Sequence, residues 1–249
     1  RHIMIPFLAA LQFLTLIPPI VKRPFTTKEL GQAVGFYPLV GVIIGALLAG
    51  AHYGLSLIIP ISLTAALTLA LWVLATGALH LDGFLDSWDG IFGGFTPEKR
   101  LEIMRDERIG AFGLASGIVL MLLKFSALHD LPHPTAALIL IPTLSRWGVS
   151  LALFGFPYAR AQGLGRDIKD NVTWQQMALA TLIALITAWF TAQWLGLIAL
   201  GFTALTVWAV SRFVLSRIPG LTGDIYGALN ELVEVVLLVG FVLVATKTA

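Results

Sequence analysis

The chain has 249 residues, a formal net charge of +2 and no cysteine. Apolar residues make up 57% of it and charged residues only 12%, about half of the share that is usual in soluble domains. This composition excludes an ordinary soluble domain, structural disulfides and Cys-ligated zinc, and the small net charge argues against a nucleic-acid partner. The apolar runs are continuous rather than alternating, so the sequence predicts transmembrane helices.

About eight apolar segments follow one another along the chain. They lie at residues 4–20, 35–52, 61–79, 110–128, 135–155, 176–193, 195–215 and 232–246. The first is short and contains three prolines, so two alternatives stay open for it, a span or a re-entrant segment. We expect one all-α catalytic domain over residues 1–249, a polytopic membrane bundle of about 7–8 spans. The three residues before Met4 could be left from cloning and carry no weight.

The basic residues are concentrated in alternate loops. Twelve of the sixteen Lys and Arg residues lie in four stretches, 21–34, 80–109, 156–175 and 212–217. The loops between these stretches contain no basic residue. Since short cytoplasmic loops are enriched in Lys and Arg, we expect the four basic stretches to face the cytoplasm from the cell inner membrane.

One of these loops belongs to an acidic stretch, residues 80–113, which contains seven of the fourteen carboxylates. Its first three aspartates, Asp82, Asp86 and Asp89, have the spacing i, i+4, i+7 that places them on one helical face. Asp82 and Asp89 would lie roughly 10 Å apart along the axis, too far to share one ion. The spacing therefore predicts two hard cations with Asp86 between them, and oxygen ligands favour Mg²⁺, with Mn²⁺ as a substitute, over zinc.

A second short helix is predicted to begin in the same stretch, with Thr96 as its N-cap and Pro97 at its first position. Glu102 and Asp106 share one face of it, and three arginines lie beside them, Arg100, Arg105 and Arg108. Carboxylates for metal beside arginines for phosphate are typical of phosphoryl transfer. We expect Asp106 to be a further metal ligand, and Asp106 or Glu102 to accept the proton. The alternative is an ordinary solvated loop.

Five further polar residues have candidate roles. His80 lacks a second histidine at a zinc-binding spacing, so a hydrogen-bonding role at the helix mouth is favoured. Arg146 lies mid-way along an apolar segment, where it must pair with a carboxylate or a phosphate, whereas Lys124 lies nearer a segment end and is expected to snorkel. A Gly-rich loop ending at Asp224 opens the last helix and is a candidate phosphate site. Glu231, in that helix, is a further candidate for metal or substrate.

The motifs of the acidic stretch occur in a distinctive order. They read HLDG at His80–Gly83, DSWDG at Asp86–Gly90, then Gly93-Gly94 and RLEIMRDERIGAFG at Arg100–Gly113. This order resembles the cobalamin 5′-phosphate synthases, also called adenosylcobinamide-GDP ribazoletransferases. The resemblance covers most of the chain, through FYPLVG at 36–41, SR at 145–146 and TGDIYGA at 222–228. Mild departures are Phe84-Leu85 and Ser87.

The resemblance implies a membrane enzyme that uses Mg²⁺ in the late assembly of vitamin B12. Its substrates would be adenosylcobinamide-GDP and α-ribazole or α-ribazole 5′-phosphate. The ribazole hydroxyl attacks the cobinamide-side phosphate and GMP leaves, giving adenosylcobalamin or its 5′-phosphate. We then expect four metal ligands and seven substrate-binding residues. The ligands are Asp82, Asp86, Asp89 and Asp106, and the substrate-binding residues are His80, Arg100, Arg105, Arg108, Arg146, Asp224 and Glu231.

Two other functions stay open from the residues. The segment Asp86–Gly90 also resembles the DxxDG opening of the CDP-alcohol phosphotransferases, but the Ala-Arg that follows it in that family is absent here. Those distant relatives suggest a homodimer in the bilayer. A cation-coupled transporter would also hold carboxylates in its helices. Against transport, the carboxylates crowd one membrane mouth and no inverted repeat is visible.

Overall fold

The computed structural model describes residues 3–248, and these form eleven α-helices. Their bounds are α1 Met4–Leu14, α2 Thr27–Ala33, α3 Tyr37–Ser56, α4 Ile61–Ala75, α5 Leu79–Gly93, α6 Pro97–Ile103, α7 Ala111–Asp130, α8 Pro134–Gly155, α9 Leu164–Asn171, α10 Trp174–Leu215 and α11 Gly223–Thr248. A 3₁₀ turn, Val34–Phe36, joins α2 to α3. The predicted all-α membrane fold is confirmed.

The number of spans is somewhat lower than the predicted 7–8 when α10, which is bent at Gln193, is counted once. Among the described residues, five helices or continuous helical runs are long and apolar enough to cross a membrane, and a sixth span is obtained if α4 and α5 together count as one. The helix α1 has 11 residues and is therefore about 16 Å long, roughly half of the hydrocarbon core. Apolar composition alone had suggested a full span there.

The long helix α10 folds back on itself at Gln193. That residue has a left-handed φ of 48°, and a Cβ on Gly196 would collide with the backbone of Ala188. Residues eight apart in a straight helix lie about 12 Å from each other, so the two legs of α10 form a hairpin. The sequence prediction of two segments separated near residue 194 is confirmed.

The turn between α4 and α5 is equally sharp. Gly77 and Ala78 both adopt left-handed φ values, 60° and 58°, and the two helices meet at 86°. For Ala78 this conformation costs about 1–2 kcal/mol. The bend takes α5 out of the direction of α4 and across the bundle to α11.

Glycines let the central helices approach one another closely. A Cβ on Gly41 or Gly45 of α3 would collide with the backbone of α8, and one on Gly83 of α5 would lie 2.8 Å from the carbonyl oxygen of Asp224 in α11. Small residues at helix crossings are the usual basis of packing in membranes. The crossing of α5 and α11 brings the aspartates of α5 to the first turn of α11.

The basic loops lie at one end of the bundle. Arg100 donates through Nη1 to the carbonyl of Arg217 at 3.1 Å, and the loops around Tyr158 and Leu221 form a parallel bridge. Lys169 of α9 donates to the carbonyl of Leu153 at 2.7 Å, so a side chain satisfies the C-terminus of α8. These contacts join three of the four basic stretches around one end of the structure.

Candidate active site

The first two aspartates of α5 have carboxylates that are not used in hydrogen bonds within the described residues. Asp82, Asp86 and Asp89 all lie in α5, as their spacing predicts. Within the described residues the carboxylates of Asp82 and Asp86 accept no hydrogen bond. Asp86 is close enough to Asp82 and Asp224 for their negative charges to act on it, and close enough to Arg160 for partial compensation. The site therefore concentrates negative charge from α5 and α11.

A cavity of about 440 Å³ opens beside Asp82. Its charged wall contains His80 and Asp82 from α5, Asp224 from α11, and two arginines from loops, Arg105 and Arg160. The volume lies within the range of about 300–1,000 Å³ that is typical of ligand pockets. Carboxylates and guanidinium groups thus converge on one enclosed space.

Arg160 and Asp224 form the central ion pair of the charged wall. Nη2 of Arg160 donates to Oδ2 of Asp224 at 2.7 Å, and Oγ1 of Thr222 donates to the same oxygen at 3.2 Å. The loops that carry them are tied by two backbone hydrogen bonds of 2.8 Å, from Ala159 N–H to Leu221 and from Leu221 N–H to Pro157. The pair is therefore held on a rigid double loop.

Three residues of the cavity have buried polar atoms without a hydrogen-bond partner among the described residues. These atoms are Nδ1 of His80, Nε of Arg160 and the hydroxyl of Tyr226. Tyr226 stacks on Tyr158, with ring centroids 6.1 Å apart, and burial raises the pKa of Tyr158. Unpaired buried polar atoms are costly, so a ligand that supplied partners here would bind more tightly.

Asp89 is used differently from the other two aspartates. Its carboxylate accepts hydrogen bonds from the backbone N–H groups of Gly110, at 2.7 Å, and Gly113, at 2.8 Å. These are the N-cap and third residue of α7. A carboxylate from one helix thus satisfies two of the unpaired N–H groups that every helix start leaves. Its predicted role as metal ligand stays a prediction.

The predicted helix start at Thr96 is confirmed, because its hydroxyl accepts from the N–H of Lys99 and Pro97 opens α6. The predicted proton acceptors lie beyond it. Asp106 is held by Arg108 at 2.8 Å, and this pairing lowers the pKa of Asp106 to about 2. Glu102 is paired with Lys99 at 2.8 Å and its side chain is 70% exposed. Neither carboxylate lines the cavity.

The three arginines of the acidic stretch also separate. Arg105 lines the cavity. Arg100 donates from Nε to the carbonyl of Ile91, at 3.2 Å, and from Nη1 to that of Arg217, so it ties α5 to a distant loop. The side chain of Arg108 is 87% exposed. Only Arg105 of the three is therefore placed to contact a molecule inside the cavity.

A buried ion network lies behind His80. Lys124 of α7 binds Glu231 at 2.5 Å and Glu234 at 2.6 Å, and Arg146 of α8 binds Glu234 at 2.6 Å. The expectation that Lys124 snorkels is wrong, because its side chain is 1% exposed. Arg146 pairs with a carboxylate, one of the two alternatives left open for it. His80 is close enough for the charges of Arg146 and Glu234 to act on it.

Within the described residues, no three His, Asp or Glu side chains are grouped closely enough to hold a metal ion by themselves. The predicted ligands are distributed: Asp82 lines the cavity, Asp86 lies one turn further along α5, Asp89 caps a helix, and Asp106 belongs to an exposed ion pair. Two carboxylates alone can still serve magnesium, which usually keeps several waters and shares its coordination with substrate phosphates.

Residues 6–242 of the chain match the model of the family described as cobalamin-5-phosphate synthase. The chain belongs to that family. It is 41% identical over 242 residues to the adenosylcobinamide-GDP ribazoletransferase of Desulfitobacterium hafniense (strain Y51), covering 93% of this chain and 94% of the relative. It is 42% identical over 243 residues to the protein of that name from Stutzerimonas stutzeri (strain A1501), covering 96% and 98%. No solved structure is significantly similar.

Membership of the cobalamin-5-phosphate synthase family confirms the resemblance read from the HLDG and DSWDG motifs. Sequence reasoning missed other parts of the site. Tyr158 and Tyr226 were not predicted as site residues, and Arg160 was counted only among the basic residues of the stretch 156–175. Arg160 lies 64 residues from Asp224, so no local spacing connects the pair. The TGDIYGA motif at 222–228 and the basic stretch 156–175 carried the only sequence signal for it.

Proposed function

We propose that this protein is an adenosylcobinamide-GDP ribazoletransferase of vitamin B12 assembly. The acceptor is α-ribazole or its 5′-phosphate. A hydroxyl oxygen of the ribazole forms a bond to the cobinamide-side phosphorus, the bond from that phosphorus to the GMP oxygen breaks, and GMP leaves. The observation that carries the proposal is the convergence of Asp82, Asp224, Arg105 and Arg160 on one cavity, in a chain of this family.

Mg²⁺ is the proposed cofactor, with Mn²⁺ as a substitute, and Asp82 and Asp86 are its proposed protein ligands. Both carboxylates lack hydrogen-bond partners in the described part of the chain, and their oxygens are the hard donors that magnesium prefers. When bound with the diphosphate, Mg²⁺ would neutralise its charge. The small number of free carboxylates fits an ion that arrives with the substrate phosphates.

The arginines of the cavity are proposed to bind the phosphates. Arg105 and Arg160 both line it, and the planar guanidinium group suits paired phosphate oxygens. Nε of Arg160 has no partner within the described residues, although Nη2 is held by Asp224. Asp224 thereby orients Arg160 towards the substrate while keeping its guanidinium group in place.

Asp106 is the proposed proton acceptor, in preference to Glu102. It directly follows Arg105, which lines the cavity, whereas Glu102 points to Lys99 and solvent. With a pKa of about 2, Asp106 is a weak base while Arg108 holds it. If the Arg108 side chain left Asp106 and paired with a substrate phosphate, the pKa of Asp106 would rise and Asp106 would become a stronger base.

His80, Arg146 and Glu231 are proposed to support substrate binding in different ways. His80 lines the cavity and can contact substrate. Arg146 and Glu231 are buried in the ion network behind it, so we place them as positioning residues. Arg100 holds α5 to the loop at Arg217, so we also propose it as a positioning residue.

A homodimer remains the proposed assembly in the bilayer, and the basic end of the bundle is proposed to face the cytoplasm. Because the sequence contains no cysteine, the variant Arg166→Cys in α9 can report which side of the membrane this end faces. In intact cells an impermeant maleimide should fail to label it and should label it after lysis. Labelling before lysis would place this end outside.

The reaction itself is tested with the purified protein, adenosylcobinamide-GDP and each acceptor, with Mg²⁺ present or chelated. We expect GMP release that requires an acceptor and is abolished by chelation. Restoration by Mn²⁺ and not by Zn²⁺ would agree with oxygen ligands. Absence of GMP release with both acceptors would contradict the proposed function, and turnover of CDP-alcohol substrates instead would favour the phosphotransferase alternative.

A further inference from the structure

The cavity has two walls of different chemistry. The charged wall is contributed by α5, α11 and the loops at Arg105 and Arg160. A second set of lining residues is mostly apolar and comes from α1, α3, α8 and α9; its members include Phe13, Tyr37, Val149, Leu153 and Ile168. The rings of Phe13 and Tyr37 stack with centroids 6.4 Å apart. We call this set the apolar wall.

The apolar wall is preformed. Tyr37, Val149, Leu153 and Ile168 are each at most 6% exposed, and they are held by the close packing of α3 on α8. An apolar surface next to a charged one in a single cavity favours a ligand with an aromatic part and a phosphorylated or hydroxylated part. A nucleoside has this division.

The size of the cavity selects between the two substrates. At about 440 Å³ it has room for one nucleoside, whereas the corrin ring of adenosylcobinamide-GDP with its amide side chains is larger than the cavity. The corrinoid must therefore stay outside, with at most its nucleotide tail reaching the charged wall. This leaves guanosine and ribazole as candidates for the cavity.

The apolar wall distinguishes these two nucleosides. Guanine presents hydrogen-bond donors and acceptors along its edge, and burying them against apolar side chains without partners is costly. The dimethylbenzimidazole base of ribazole has two methyl groups and no such edge. Val149, Leu153 and Ile168 offer apolar contact and no side-chain hydrogen-bonding group, so this part of the wall suits the ribazole base, although Tyr37 and Gln162 also line the cavity.

The cavity also contains the polar atoms that a ribose would need. Tyr226 and His80 both line the cavity, and the Tyr226 hydroxyl and His80 Nδ1 are buried without partners within the described residues. Ribose hydroxyls donate and accept, so they can satisfy both groups whatever tautomer His80 adopts. A Cβ on Gly223, which also lines the cavity, would meet no atom within 4 Å, so that side is open to a ligand.

We propose that this cavity is the acceptor site, with the ribazole base against the apolar wall and its ribose at Tyr226 and His80. In this orientation the ribose hydroxyl faces the charged wall, where the phosphates of the second substrate are bound. Val149 and Leu153 then set the size of base that is accepted. The proposal rests on the proposed function and adds the location and the determinants of its acceptor.

The test is a change of base preference in Val149→Ile, which adds one methylene to the apolar wall. We compare α-ribazole with the α-riboside of unsubstituted benzimidazole, which lacks both methyl groups. The KM for α-ribazole should rise by about tenfold or more. The KM for the smaller riboside should rise less, and the KM for adenosylcobinamide-GDP should not change. Val236→Ile, at a partly exposed position on α11, is the matched control and should alter none of them.

A second variant tests the ribose contact. Tyr226→Phe should raise the KM for α-ribazole by about three- to tenfold without lowering the melting temperature, because the hydroxyl has no partner within the described residues. A rise in the KM for adenosylcobinamide-GDP in either variant, with that for α-ribazole unchanged, would place guanosine in the cavity and overturn the proposal. Unchanged KM values for both substrates would also overturn it.

Calorimetric binding of α-ribazole alone separates this proposal from the proposed function. If the wild-type protein binds α-ribazole but releases no GMP, and Val149→Ile weakens that binding, the acceptor site is supported and the reaction is contradicted. Alternatively, the wild-type protein could release GMP while Val149→Ile changes neither the affinity nor the KM for α-ribazole. That result would support the reaction and overturn the site. Absence of α-ribazole binding by the wild type would overturn the site as well.

Discussion

Oδ2 of Asp89 in α5 accepts a 2.7 Å hydrogen bond from the backbone N–H of Gly110, the N-cap of α7. The two residues are 21 positions apart, so this is a cap supplied by tertiary structure. It locks the helix that carries Asp82 and Asp86 against α7, and there is no room for a side chain at Gly110, where a Cβ would collide with the carboxylate.

We predict that Asp89→Asn mainly lowers stability. An amide offers one acceptor oxygen where the carboxylate uses two, so one of the two N–H groups of α7 loses its partner, at a cost of about 1–3 kcal/mol. Thermal unfolding in detergent measures this, beside the Mg²⁺ concentration that half-saturates GMP release. Unchanged stability with a large rise in the Mg²⁺ requirement would instead identify Asp89 as a metal ligand.

Asp86→Asn should have the opposite effect. The Asp86 carboxylate accepts no hydrogen bond within the described residues and is repelled by Asp82 and Asp224, so its neutralisation should leave the melting temperature unchanged or raise it. GMP release should fall by about a hundredfold or more, as for loss of an electrostatic group at a reaction centre. Wild-type-like turnover in this variant would remove Asp86 from the proposed site.

Arg160→Met should lower GMP release by roughly 10²–10³-fold, because one phosphate-binding guanidinium group is lost. Asp224 is then left half-buried without its partner, which lowers binding of the anionic substrate further. Arg166→Met is the matched control: Arg166 belongs to the same basic stretch, pairs with Asp170 at 3.0 Å and does not line the cavity. Equal losses in both variants would indicate a general effect of charge.

Glu234→Gln should be strongly destabilising. Lys124 and Arg146 both bind this carboxylate in a buried environment, and removal of one partner from a buried ion pair costs about 3–5 kcal/mol. The melting temperature in detergent should fall, whereas Asp170→Asn, which breaks an exposed i, i+4 pair, should shift it little. A Glu234→Gln protein with the wild-type melting temperature would show that the network is not structural.

Glu102→Gln and Asp106→Asn separate the two candidate proton acceptors. Glu102 is mostly exposed and paired with Lys99, so its variant should retain activity within about twofold. Asp106→Asn should lose about 10²–10⁴-fold, the usual contribution of a general base. A pre-steady-state measurement of GMP release reads the chemical step directly, and the reverse ranking would assign the base to Glu102.

The local parts of the fold were predictable because they depend on residues a few positions apart. The i, i+4, i+7 spacing of Asp82, Asp86 and Asp89 implied α5, and Thr96 followed by Pro97 implied the start of α6. The break near Gln193 was predicted from composition. The number of spans was not predicted correctly, because apolar composition does not reveal the sharp bend at Gly77 and Ala78 or the short length of α1.

The sequence by itself determined a helical membrane protein, three aspartates on one helix face and the family resemblance. Tertiary structure decided the use of each charge. Asp89 became a helix cap through Gly110, Lys124 became buried because Glu231 and Glu234 lie beside it, more than 100 residues along the chain, and Arg160 met Asp224 across 64 residues. A charge in a bundle takes the partner that packing brings within about 3 Å, and that partner is not a neighbour in sequence.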